Sequence, residues 1–302
     1  MKKSIFLFRV FPIIMLFICT TGCKKEPEYN PKKKIESIYY AYQSTGEDNL
    51  PKTLKEKWIW DNNTLSRIEH WKEGRIDYTQ NFIYDNKLLS QITMDEITCK
   101  FRYGKSELEE MEIFENNQLI TKFIVTERSN KKISKLVIKD IMADPSKSGH
   151  DFTAKLSSAI RFLIPDRNEN QLQEQLGHIF SQSTAKSELR SYTVEFIYQK
   201  NNIVEEKWYH ENGVDRFTYT YDNKNNPYYN AYLDMVDGYR EDINTTFSKN
   251  NVLTCIKPGN NRINYTYEYN GKWPVKKTCF IPMSSYQGPS WTNREIYYYE
   301  YQ

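Results

Sequence analysis

Four histidines, a few closely spaced glutamates and a large number of rings are the residues of this 302-residue chain whose types invite chemistry. His70, His150, His178 and His210 fit no catalytic spacing: the chain holds no HExxH, no GxSxG and no Gly-rich phosphate loop. His70 and Glu73 are three residues apart, which on a strand sends them to opposite faces, and the adjacent His210 and Glu211 also diverge. In "LEEMEIFE" Glu110 and Glu112 share a strand face. Two carboxyls about 5 Å apart in a cleft would suit a retaining glycoside hydrolase, but solvated charges line any wet strand the same way. Asp61, Asp85 and Asp222 sit in Asn-rich turns; the alternating acids and fixed Gly of a calcium loop are missing, and Asx turns account for them. The expectation is no catalytic residue, no metal and no cofactor.

The rings are the remaining signal. Tyr, Phe and Trp number 24, 15 and 6. Trp208, Tyr228, Tyr229, Tyr232 and Trp291 are candidate ligand-stacking aromatics, since a sugar's apolar face stacks on a ring and Tyr adds a hydroxyl. Packing on both partly covered faces of a curled sheet is the competing reading of the same residues.

The elements that must position these rings repeat. Residues 58–68 read "WIWDNNTLSRI" and residues 82–92 read "FIYDNKLLSQI". Weaker copies follow: "YQKNNIV" from Tyr198, "YDNKNNP" from Tyr221, "FSKNNVL" from Phe247 and "YNGKWPV" from Tyr269. A period in the twenties marks repetition of one supersecondary unit. Within the copies apolar and polar residues alternate: Ile263, Tyr265, Tyr267 and Tyr269 on one face, Asn264, Thr266 and Glu268 on the other. Ile76, Tyr78, Phe82 and Tyr84 do the same, with Gln80 as the exception. Asn and Asp between the strands suit tight turns. The fold class expected is mainly β: an antiparallel meander of about a dozen strands, a number drawn from ordinary strand lengths, in a curled or barrel-like sheet. Residues 142–191 break the rhythm. Phe152, Leu156, Ile160 and Leu163, then Leu172, Leu176, Ile179 and Phe180, have helical spacing. This predicts a two-helix insertion around 151–182, docked on a face or open end of the sheet.

The first segment reads as an address. Lys2 and Lys3 precede an apolar stretch too short and too interrupted for a membrane span, and Thr20, Thr21, Gly22 and Cys23 follow. Residues 1–22 are expected to be a signal peptide. The Thr-Thr-Gly-Cys end resembles the lipobox of bacterial lipoproteins, which implies lipidation of Cys23 and attachment to the outer membrane; the surface or periplasmic side is left open. Residues 23–36, rich in charge and containing Pro27 and Pro31, then form the tether, and 37–302 one β-repeat domain carrying the insertion. Cys99, Cys255 and Cys279 remain; with one necessarily unpaired and two on next-but-one strands, all three are expected as buried free thiols.

The aromatic-Tyr-Asp-x-Asn phrases, best preserved at residues 82–87 and 219–227, resemble YD repeats of the RHS type, and more closely Bacteroidota envelope lipoproteins of unknown function. The resemblance implies strand-turn-strand units and no catalytic residues. Charge adds an exclusion. Lys2, Lys3 and Arg9 account for the formal +3, and the other 39 basic residues balance 39 acidic ones, so the sequence shows no surplus for nucleic acid. The reading is a non-enzymatic, outer-membrane-anchored lipoprotein that binds a glycan or a protein partner. The alternatives are a glycan-acting hydrolase and, last, an RHS-like shell.

Overall fold

Each well-preserved copy of the repeated phrase is a β-hairpin with a backbone that Asn tolerates and most residues avoid. In the second copy Asn86 and Lys87 both have positive φ, 48° and 70°. Asn116 with Asn117, Asn130 with Lys131, and Lys200 with Asn201 repeat this pair. Two residues with φ > 0 make the primed turn whose twist matches that of the strands it joins. The conserved shape "Leu-Ser-x-Ile" has its own role. Ile83 pairs with Gln91 and Tyr84 with Leu89, which leaves Ser90 as an extra, bulged residue. Its Oγ donates to the Ile83 carbonyl at 3.0 Å. Ser66 does the same in the first copy, donating to Ile59 at 2.9 Å. A bulge increases local twist and bends its strand. Register shifts of this kind recur in most of the hairpins.

The computed structural model describes residues 29–43, 51–140, 190–211, 213–231, 247–282 and 292–302. The strands are β1 (Ile35–Gln43), β2 (Thr53–Asp61), β3 (Thr64–Lys72), β4 (Arg75–Asp85), β5 (Leu88–Met94) and β6 (Ile97–Gly104). Next come β7 (Glu107–Glu115), β8 (Gln118–Ser129), β9 (Lys132–Asp140), β10 (Arg190–Gln199) and β11 (Asn202–His210). The last are β12 (Gly213–Tyr221), β13 (Val252–Ile256), β14 (Arg262–Asn270), β15 (Trp273–Pro282) and β16 (Thr292–Tyr301). Each pairs antiparallel with its sequence neighbours, and β16 pairs with β1, so the meander closes into a barrel. This corrects the expected dozen strands to sixteen. The weakly patterned stretch 97–140 supplies four strands that no clear copy of the phrase announces. The two-helix insertion around 151–182 is not borne out: it lies outside the described residues, whose one helix with described bounds is the 3-10 turn Pro258–Asn260.

Two of the weaker copies do not form hairpin turns. "YDNKNNP" leaves β12, "FSKNNVL" leads into β13, and the two pack on each other over one end of the barrel. Asp222 N donates to the Asn251 carbonyl at 3.0 Å and Asn226 N to Lys249 at 3.0 Å. The Asp222 carboxylate accepts from Lys224 N, Asn251 N, Asn251 Nδ2 and the Tyr269 hydroxyl. Buried Ser248 ties this plug to the wall through Ile203 N at 3.0 Å. Tyr228 projects to Trp58 and Tyr299, ring centroids 6.1 and 6.3 Å away. Tyr29, ahead of β1, joins it: its hydroxyl donates to the Pro227 carbonyl at 2.7 Å and its ring lies 5.8 Å from Trp60.

The two faces of the wall have opposite character. Trp58, Leu65, Ile68, Ile92, Met94, Leu108, Met111, Phe123, Leu136 and Ile138 are almost fully buried on the lumen side. The outer face is charged: Arg102 bridges Glu110 at 2.7 Å, Lys122 bridges Glu110 and Glu112, Lys135 bridges Glu127 and Glu195, and Lys276 bridges Glu268.

Candidate functional site in the barrel lumen

Around one arc of the wall the lumen-facing side chains change from aliphatic to aromatic and charged. On β14, β15, β16, β1 and β2 they form a row: Tyr265, Lys277, Tyr297, Tyr40 and Lys55. Lys277 Nζ lies 5.0 Å from the Tyr265 ring and 5.5 Å from the Tyr297 ring. Tyr297 and Tyr40 meet edge to face at 5.4 Å. Lys55 Nζ lies 5.1 Å from the Tyr40 ring. The Tyr297 hydroxyl donates to Glu295 Oε2 at 3.1 Å. The alternation seen in the sequence puts these residues on the lumen face. They follow the same parity as buried Tyr299, Cys279 and Ile263, yet all but Lys55 are only half-buried. Deeper in, the wall is dry; here it reaches solvent. Cations held over ring faces, with hydroxyls at the rims, form a surface that stacks on a flat apolar ligand face and hydrogen-bonds its edges.

A second polar group is fully buried and serves packing. His70, 5% exposed, stacks on Tyr78 at 4.2 Å, and its Nε2 is 3.0 Å from Gln80 Oε1. Gln80 Nε2 reaches Met94 Sδ at 3.0 Å. Burial pushes the imidazole below its ordinary 6.5, against the pull of Glu56, whose Oε1 is 4.0 Å from Nδ1. Sequence reasoning had found the sign of this cluster, the odd Gln80 in an apolar alternation, without its partner, because His70 lies on the neighbouring strand.

Trp208 of the candidate aromatics is on the lumen face of β11, with Nε1 donating to Glu206 Oε2 at 3.2 Å. The arrangement repeats across the barrel at Trp58 and Glu56, 2.8 Å. Tyr228 and Tyr229 are in the plug; Tyr228 packs between Trp58 and Tyr299, away from the half-buried row. Tyr232, Trp291 and the lipidation candidate Cys23 lie outside the described residues, as do His150 and His178. Tyr297 belonged to the ring-rich run 297–299 visible in the sequence; Tyr40, Tyr265 and Lys277 were not candidates for the site. Their alternation was visible, but not that strands from opposite ends of the chain meet at β1 and β16.

The strand carboxylates offered for hydrolysis are both occupied on the outer face: Glu110 by Arg102 and Lys122, Glu112 by Lys122. Burial works to raise Glu110, but hydrogen bonds from Lys122 and Arg102 outweigh it and hold the carboxyl below its usual value. Cys99, Cys255 and Cys279 are buried and outside any disulfide, and burial pushes the Cys99 thiol far up, so it stays protonated and unreactive. Among the described residues no cluster of three or more His, Cys, Asp or Glu is placed to hold a metal ion.

No protein-family model and no curated protein matches the chain. Solved structures do share its barrel. A porin-like protein from Bacteroides uniformis superposes with a TM-score of 0.51 over 92% of this chain and 100% of that one, at 9% identity. A porin-like protein from Bacteroides vulgatus gives 0.44 over 89% and 99%, also at 9% identity. The likeness is one of fold. A barrel that faces lipid carries an outward apolar band about 25 Å tall. Here the outward side chains include Arg67, Glu69, Lys100, Glu112, Lys122 and Arg216, with Lys122–Glu112 and Arg216–Glu205 paired across strands and Arg67–Glu69 along one, beside exposed Ile76, Ile83, Ile197 and Val214.

Proposed function

We propose that this protein is a non-enzymatic barrel, held to the outer membrane by a lipid on Cys23, that binds a glycan at the half-buried row Tyr265–Lys277–Tyr297–Tyr40 of its lumen. The observation that carries the binding role is that row: three rings and the Lys277 ammonium left half-buried side by side on four strands, where the arc from β3 to β9 is largely sealed. The anchor reading draws on the charged outer face. Placing Lys or Arg against the bilayer midplane costs about 2–4 kcal/mol each, so these strands are not built to span, and membrane attachment must come from outside the barrel. The Thr-Thr-Gly-Cys sequence at residues 20–23 supplies a means.

Titration of a panel of neutral and acidic oligosaccharides into the purified protein tests the binding role. Replacing Tyr265 and Tyr297 by alanine is expected to weaken the best binder at least about tenfold, given roughly 1 kcal/mol per stacked ring, with little loss of thermal stability. Unchanged affinity in the double variant would sink the site, and release of new reducing ends from the bound glycan would overturn the non-enzymatic reading. For the anchor, Cys23→Ser is expected to move the protein from the detergent phase to the aqueous phase when membranes are dissolved and partitioned at high salt.

A further inference from the structure

The barrel has two chemically different ends. At the plugged end five of the six two-residue hairpin turns carry a lysine: Lys87, Lys105, Lys131, Lys200 and Lys272, all exposed. Lys249, in the plug itself, is exposed as well. The two-residue hairpin turns at the opposite end carry Glu73, Asp95, Glu96 and Glu211 instead, and the longer β13–β14 turn there carries Lys257. The acids near the lysine-rich end are partly engaged: Asp222 is consumed by the plug, and Asp61 and Asp85 accept from their own neighbouring Asn side chains at 3.0 Å. The chain enters at this same end. Tyr29 is seated in the plug, and Lys32–Lys34 follow beside the turn at Asn62 and Asn63, where Lys34 Nζ donates to the Asn63 side chain at 2.9 Å. Cys23 lies six positions before Tyr29, a reach of at most about 20 Å even if fully extended.

We infer that the plugged, lysine-ringed end is a docking surface for an anionic phospholipid membrane, and that the barrel stands on it with its opposite end, where β1, β9 and β15 finish, turned away. Two independent observations agree. The ring of turn lysines is the complement of an acidic lipid surface, and a Cys23 lipid cannot lie farther than the short lead to Tyr29 allows. Each lysine held near an acidic surface contributes roughly a fivefold factor in partitioning, and several act together because the turns that carry them share one end of the barrel.

The second observation rests on the lipid-anchored reading, so the test leaves the lipid out. The Cys23→Ser chain is sedimented with vesicles of phosphatidylcholine alone and of equimolar phosphatidylcholine and phosphatidylglycerol. Binding is expected to the second only, to weaken with added salt, and to fall at least about a hundredfold when Lys87, Lys105, Lys200 and Lys272 become Gln. The matched variant with Lys57, Lys72, Lys100 and Lys139 changed to Gln, exposed lysines of the barrel side and opposite end, is expected to bind as the parent does. Equal binding to both vesicles, equal loss in both variants, or release of the protein from vesicles by single-stranded nucleic acid overturns the proposal. A failure here leaves the lipid on Cys23 standing, and a soluble wild type with vesicle binding intact would remove the lipid and keep the surface.

Discussion

The lumen wall is built in two manners. From β3 to β9 the inward side chains are largely sealed: Leu65, Ile92, Met94, Leu108, Met111 and Leu136 expose at most 1% of their surface, and Phe82, Phe101, Phe123 and the His70–Tyr78–Gln80 cluster are buried among them. From β14 through β16 to β2 the inward positions hold Tyr265, Lys277, Glu295, Tyr297 and Tyr40, half in water. The hydrogen-bond ladder is continuous through both arcs, so the difference is not one of fold. It teaches that closure of the barrel and filling of the barrel are separate tasks: one arc and the plug make a core, while the other keeps polar rings at the cost of core area.

Variants can break or sharpen this contrast. Phe123→Ala, in the sealed arc, leaves a void that rigid neighbours cannot fill and is expected to cost about 3–5 kcal/mol in denaturant unfolding. Asp222→Ala cuts four hydrogen bonds that hold the plug, and an expected loss of about 2–3 kcal/mol should be joined by faster amide exchange at Asn226 and Tyr228. A normal exchange pattern in that variant would mean the plug is held by packing alone.

His70 adds a pH dependence confined to the sealed arc. Its folded-state pKa is lowered by burial, so on the acid side of 6.5 the unfolded chain binds a proton that the folded chain resists, and stability falls as pH drops through that window. In His70→Phe this component is expected to vanish, at a cost of roughly 1 kcal/mol for the unpartnered Gln80; an unchanged acid-side slope would show another group responsible. Tyr265→Ala, in the half-wet arc, is expected to cost about 1 kcal/mol or less. If it cost as much as Phe123→Ala, the two arcs would be one core and the proposed site would disappear.

Much of the hairpin grammar was legible in residues. "YDNKLLSQI" names its own turn in Asn86-Lys87 and its own bulge in Ser90, though the bulge shows its purpose only through the carbonyl it bonds seven residues back. "YDNKNNP" was misleading for a physical reason. Its Asp forms the expected Asx turn with Lys224 N, but the next strand does not follow, and the phrase pairs instead with "FSKNNVL". Local chemistry was read correctly and its partner was not. The charge balance misled in the same way: basic and acidic residues are equal in number beyond the first segment, yet the two-residue turns at one end carry five lysines and those at the other carry Glu73, Asp95, Glu96 and Glu211.

What the residues determined alone was what neighbours within about ten positions govern: strand alternation, turn backbone and the Asx bonds. Tertiary structure decided what depends on partners far along the chain. These are the pairing of β1 with β16 that closes the barrel, the seating of Tyr29 beneath Pro227, and the meeting of Tyr40 with Tyr297 across 257 positions. A strand's pattern says which side is wet, but only closure says that the other side is an interior, and which distant rings will share it.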